Sequence, residues 1–194
     1  MIGPNALMPD RASIEALQTE RLRALLRRVR EGNAFYRDRL AAADLGPAPS
    51  LADFVRVMPF TTKADLVRDH EEFPPYGSNF TDPVGHYSRF CQSSGTTRGP
   101  ISFLDTPESW AAMLDCWDRV YESAGIGPDD KIFFAFSFGP FLGFWTAFES
   151  ATRRGNRSIP GGGLSSKARL QAMVSHAVEV LCCTPTYALR LGEL

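Results

Sequence analysis

From Lys131 onward the sequence alternates with a regularity that few folds accommodate. Lys131 to Phe136 reads as a strand, Pro140 to Arg153 as a helix and Arg157 to Pro160 as a strand. Ser165 to Ala177 then reads as a helix, Val180 to Cys183 as a strand, and a further helix starts at Pro185. Short apolar runs separated by helical periodicity are the pattern of βαβ units, which place helices against a mainly parallel sheet. In such sheets ligands lie beyond the C-terminal strand ends. Those ends carry Ser137-Phe138-Gly139-Pro140-Phe141, Gly161-Gly162-Gly163 and Thr184-Pro185-Thr186-Tyr187. Topology alone therefore predicts that these three loops converge.

The preceding half has a different character. Leu22, Leu25, Leu26 and Val29 fall at i, i+3, i+4 and i+7 and predict one helix from Ala12 to about Arg30. A second is expected over Ala34 to Ala43, ending before Gly46-Pro47. Ser50 is placed to cap a third through Val55, and Thr61 or Thr62 a fourth through His70. Arginines 21, 23, 27, 28 and 30 decorate the first helix, but Glu15, Glu20 and Glu31 interrupt the run, so a solvated face is expected rather than a basic docking surface. Residues 71–85 read as an irregular connection. Thr106-Pro107-Glu108 opens a long helix whose Trp110, Met113, Leu114, Trp117 and Tyr121 form a stripe suited to core packing.

Between the two halves lies Gln92-Ser93-Ser94-Gly95-Thr96-Thr97-Arg98-Gly99-Pro100, flanked by strand-like runs at Gly85 to Phe90 and Ile101 to Leu104. Glycines let backbone N–H groups approach an anion, hydroxyls add donors, and Arg98 adds charge, so the stretch suits a phosphate cradle as well as it suits an ordinary polar loop. It is not a Walker loop, because Gly99 is followed by Pro100 and a strand rather than by Lys-Ser/Thr and a helix.

With 44% apolar residues in 194, a core is assured. A net charge of -1 argues against nucleic acid or an anionic membrane as partner. No apolar run reaches membrane-spanning length and no export signal is visible, which predicts a cytoplasmic protein. Cys91, Cys116, Cys182 and Cys183 form no CxxC pair and have no histidine at ligand spacing, so no metal site is expected and the cysteines are expected to be reduced.

Ser93-Ser94-Gly95-Thr96-Thr97 resembles the phosphate signature of the adenylate-forming superfamily. Met58-Pro59-Phe60-Thr61-Thr62-Lys63-Ala64-Asp65-Leu66, Phe136 to Phe141 and Cys183 to Leu189 resemble, in the same order, segments of phenylacetate:CoA ligases. The resemblance spans about residues 20 to 190. It implies an α/β fold, with N-terminal helices followed by alternating β/α units, forming the first part of an adenylate-forming large domain. Residues 1–80 would be a helical lead-in packed on the domain, and residues 81–194 would be the domain's start. It further implies that a small carboxylic acid is activated by ATP with Mg²⁺ as an acyl-adenylate and passed to CoA. Ser93, Ser94, Gly95, Thr96, Thr97, Arg98 and Gly99 would hold the ATP phosphates. Phe136, Phe138, Gly139, Phe141, Thr184, Pro185 and Tyr187 would form the acid pocket.

Two departures stand out. The family loop continues Gly-Lys-Pro where this chain has Arg98-Gly99-Pro100, and the family commonly has tyrosines at Phe136 and Phe138, so an apolar or aryl acid is expected. Lys63 matches an early landmark and not the adenylation lysine. The catalytic residues, the Mg²⁺-binding glutamate and the lid are expected beyond Leu194. The chain is thus read as an N-terminal portion, inactive alone, that needs its C-terminal half or forms a homodimer. A non-CoA acyl acceptor and a non-catalytic remnant are the alternatives.

Overall fold

The computed structural model describes residues 10–95 and 99–194. They fall into two compact units that divide between Thr106 and Pro107, so the hairpin carrying the hydroxyl-rich loop belongs with the N-terminal helices.

The first unit contains α1 (Arg11–Gly32), α2 (Ala34–Ala42), α3 (Leu51–Val57) and α4 (Lys63–Glu72), then an antiparallel pair, β1 (Arg89–Gln92) and β2 (Ser102–Asp105). Leu26, Leu40 and Leu45 form its buried centre, with Leu22, Val29, Tyr36 and Phe54 packed around them. The arginines of α1 hold the chain together rather than simply facing solvent. Arg23 donates to the carbonyls of Ala48 and Pro49 at 3.2 and 3.1 Å, Arg30 to those of Leu45 and Gly46 at 2.6 and 3.0 Å, and Arg28 pairs with Asp82 at 3.0 Å. The linker between α2 and α3 is therefore strapped to α1 by guanidinium donors, which satisfy carbonyls that lack a partner in regular structure.

Both predicted caps form. Ser50 accepts from the Asp53 amide at 3.1 Å while Asp53 accepts from the Ser50 amide at 3.2 Å; Thr62 and Asp65 repeat the arrangement at the start of α4. Such reciprocal boxes satisfy amides that the first helical turn leaves open. The Ser50 hydroxyl, helped by Arg56 and the Ser50 amide, holds the Asp53 carboxyl at about 2, below its ordinary 3.8. A depressed carboxylate stabilises the fold above the unfolded value and loses that effect as pH falls through the folded one. The melting temperature of Asp53→Asn should therefore lie furthest below wild type above about pH 4, and the two should converge by about pH 2. A gap that persists unchanged to pH 2 would rule out the carboxylate as its cause.

One predicted element is displaced. Of Gly85 to Phe90 only Arg89 and Phe90 are strand: Val84–His86 forms a 3₁₀ turn, and pairing begins at Ser88, whose amide donates to Asp105 at 3.0 Å. The turn brings the Tyr87 hydroxyl back to accept from the Thr81 and Asp82 amides at 3.0 and 3.2 Å, and β2 ends at Asp105, leaving nothing for earlier residues to pair with.

The second unit contains α5 (Pro107–Ser123), β3 (Lys131–Phe134), α6 (Leu142–Arg153), β4 (Arg157–Pro160), α7 (Ser166–Ser175), β5 (Val180–Cys182) and α8 (Pro185–Gly192). Its sheet is parallel, in the order β4-β3-β5. The central strand is covered on both faces, which is why Ile132, Phe133 and Phe134 run without alternation and are each 0% exposed. Small residues on α6, Ala147, Ser150 and Ala151, let α5 approach closely, and the Tyr121 hydroxyl donates to the Ala147 carbonyl at 2.8 Å. Ser150 donates to Asp118 at 2.6 Å and Trp110 to Glu149 at 2.9 Å. The aromatic stripe of α5 is core, as its periodicity predicts. No described helix is long and apolar enough to cross a membrane.

Candidate functional site

The hydroxyl-rich loop is closed at its mouth by a reciprocal pair. The Ser93 amide donates to the Ile101 carbonyl and the Ile101 amide to the Ser93 hydroxyl oxygen, both at 2.9 Å. Ser93 thus spends an acceptor site on the loop's own frame. Ser94 is exposed. Gly95 and Gly99 have φ of +71° and +90°, the left-handed region open to glycine, and the Gly99 amide donates to the Gly95 carbonyl at 3.1 Å. A Cβ at Gly95 would lie 2.6 Å from the Pro100 nitrogen, whereas at Gly99 it would meet none of the described residues within 4 Å. One glycine therefore closes the turn and the other leaves space above the backbone, a surface that an anion can approach. Thr96, Thr97 and Arg98 lie outside the described residues. Lys63 is exposed at the first position of α4.

In the second unit the loops after the three parallel strands do converge. Beyond β3, Phe136 contacts Phe138 at 5.3 Å between ring centroids and stacks on Phe144 at 4.2 Å; Phe141 meets Phe144 at 5.9 Å. Trp145 packs on Phe138 at 4.8 Å and donates its indole N–H to the Gly139 carbonyl at 2.9 Å. Gly139 must remain small, because a Cβ there would lie 2.9 Å from the Phe141 ring. Gly162, in the loop after β4, lies against this wall, where a Cβ would stand 3.5 Å from the Phe138 ring. After β5, Thr184 and Pro185 are exposed and Tyr187 is half-buried, its hydroxyl 2.9 Å from that of Ser166.

Sequence reasoning missed Arg169. The residue is 8% exposed; its guanidinium donates Nη1–H to the Ala135 carbonyl at 2.8 Å and Nε–H to the Gly161 carbonyl at 2.9 Å, and lies 5.1 Å from the centre of the Tyr187 ring. Nothing in the sequence marks it, since α7 is polar and its burial is decided by contacts distant in the chain. The Ser166 hydroxyl, with burial opposing and Arg169 assisting, holds the Tyr187 phenol below its ordinary value.

The described residues contain no group of three or more His, Cys, Asp or Glu able to hold a metal. A cavity of about 590 Å³ lies among the N-terminal helices, walled by Leu22, Leu26, Tyr36, Leu40, Phe54 and Met58; none of the candidate residues above lines it.

A three-stranded parallel sheet packed with helices is an α/β arrangement, and solved structures share the fold. Two structures of 2-hydroxyisobutyryl-CoA ligase, both in complex with 2-HIB-AMP and CoA, superpose with TM-scores of 0.87 (open conformation) and 0.88 (thioesterification state), at 27% and 28% identity. Each match covers 96% of this chain, and 44% and 40% respectively of the other. The chain is 33% identical over 185 residues to the phenylacetate-coenzyme A ligase of Escherichia coli, and 33% identical over 195 to that of Thermus thermophilus. It is similar to these phenylacetate-CoA ligases along 93% and 100% of its own length and shares the fold of the solved CoA ligases. The chain spans about two fifths of the length of these relatives, 40% and 42%. No family model matches it.

Proposed function

We propose that this chain takes part in ATP-dependent activation of an apolar or aryl carboxylic acid as an acyl-adenylate, followed by transfer of the acyl group to CoA. The observation that carries the reading is the match over 96% of the chain to a ligase holding both an acyl-adenylate and CoA. Carboxylate and ATP are both anions, so the first step depends on oriented donors that hold the phosphates while the acid is placed in line with the α-phosphorus. Ser93, Ser94, Gly95, Gly99 and the intervening Thr96, Thr97 and Arg98 are assigned to the β and γ phosphates. Mg²⁺ would accompany ATP and offset its charge; none of the described residues is assigned to it.

Phe136, Phe138, Gly139 and Phe141, with Thr184, Pro185 and Tyr187, are assigned to the acid. Their side of the pocket carries aromatic rings and few hydroxyls, so an aryl ring is held by ring contacts rather than by hydrogen bonds. The test is ATP–pyrophosphate exchange on the native product isolated from its cells with an antibody against residues 46–77. Exchange driven by aryl or long apolar acids is expected. Exchange confined to short polar acids would sink the pocket assignment, and no exchange with any acid would sink the ligase reading itself.

A further inference from the structure

Arg169 contacts the chain where it leaves all three parallel strands, and the segments after β3 and β5 are the ones assigned to the acid. Its two carbonyl acceptors belong to Ala135, where the chain leaves β3, and to Gly161, where it leaves β4; its third neighbour, the Tyr187 ring, follows β5. Among the described residues no carboxylate pairs with it. A buried cation without a counter-ion is costly unless its donors are satisfied. Here carbonyl dipoles at two strand ends, together with an aromatic face, take the place of the counter-ion. The same contacts bind the loops to one another. The Gly161 amide donates to Phe134 at 2.9 Å and the Ala135 amide to Cys182 at 3.0 Å, so the guanidinium completes a frame in which each strand end is held to its neighbour.

We propose that Arg169 is the positioning residue of the acid pocket, fixing the loops after β3, β4 and β5 in one mutual arrangement. The proposal rests on the reading of the segments after β3 and β5 as the acid site. Planarity is the reason that arginine serves. Two N–H groups diverge in one plane to reach carbonyls on different strands while the face of that plane remains available to Tyr187. A lysine ammonium has three donors but no rigid plane, so it cannot hold both carbonyls in the fixed fork geometry of a guanidinium and has no face to stack on Tyr187. The aromatic wall at Phe136 and Phe138 follows directly after Ala135, so the direction in which those rings leave the sheet is set one residue from an Arg169 contact. Tyr187 is held from its other side by Ser166 on the same helix as Arg169, so α7 carries both grips on the third loop.

The test is hydrogen exchange by mass spectrometry on wild type, Arg169→Lys and Tyr187→Leu. In Arg169→Lys, peptides covering 136–141, 161–164 and 184–188 should exchange together, at least about tenfold faster, while 114–123 and 144–151 keep wild-type rates. Tyr187→Leu removes one arm only and should loosen 184–188 alone. Wild-type rates in all three loops of Arg169→Lys, or uniform acceleration across 107–194, would overturn the proposal, the latter because it marks a residue that stabilises the unit without positioning its loops.

A ligand readout separates this from the functional reading. Tryptophan fluorescence titrated with phenylacetate should respond in wild type, because Trp145 is bonded to Gly139. Arg169→Lys should weaken the affinity so measured at least about tenfold. Unchanged affinity would overturn positioning. A wild type that does not respond to phenylacetate would count against the acid site, and the exchange pattern would still decide the role of Arg169.

Discussion

Phe134→Ala should lower the stability of the second unit by about 3–5 kcal/mol, the range for removing a fully buried phenylalanine. Phe134 is 0% exposed on the central strand, its ring 5.8 Å from that of Phe136 and 5.1 Å from that of Phe148, within a cluster that includes Tyr121, Ile132, Ala147 and Ala151. The cavity cannot close readily, because strands on both sides fix the backbone and α6 is locked to α5 by hydrogen bonds. Urea unfolding followed by tryptophan fluorescence measures this directly: all three tryptophans, Trp110, Trp117 and Trp145, lie in the second unit. The midpoint should fall with the slope preserved. A loss of less than about 1 kcal/mol would show that the site collapses around the smaller side chain.

The second large effect is expected at Gly95→Ala. A non-glycine residue at φ of +71° costs about 1 kcal/mol or more, and the added Cβ would lie 2.6 Å from the backbone nitrogen of Pro100, which has no flexible end to move aside. The turn must re-form. The reciprocal bonds between Ser93 and Ile101 should open, with exchange at the Ile101 amide at least about tenfold faster. Gly99→Ala is the control: its φ of +90° carries the conformational cost, but none of the described residues comes within 4 Å of the added Cβ. If MgATP binds through this loop, its affinity should fall further in Gly95→Ala than in Gly99→Ala. Equal behaviour of the two variants, in exchange and in binding, would remove the steric argument.

Several elements could be read directly from local chemistry. Ser50 and Thr62 announce helix starts because a hydroxyl followed by aspartate three residues later satisfies open amides on the spot. The β/α alternation from Lys131 is equally local, since an uninterrupted apolar run between amphipathic helices has one stable arrangement, a strand covered on both faces. Convergence of the three strand-end loops follows from that topology, so Phe136, Phe138, Gly139, Thr184, Pro185 and Tyr187 could be placed near one another without any distance being known.

Other features depended on partners distant in sequence. Gly85 to Phe90 has strand composition, but whether it pairs is decided by where β2 ends and by the Tyr87 hydroxyl reaching the Thr81 and Asp82 amides. The α1 arginines read as a solvated face because nothing local marks the carbonyls of Leu45, Gly46, Ala48 and Pro49 as needing donors. Arg169 is the clearest case. Its helix is polar and carries no motif, and its three contacts come from residues 34, 8 and 18 positions away. Sequence by itself determined the elements and the end of the sheet at which a ligand belongs, because caps, periodicity and strand burial act over a few residues. Only the tertiary structure decided which charged groups hold the loops, because a buried donor is satisfied by whichever carbonyls folding brings within about 3 Å of it.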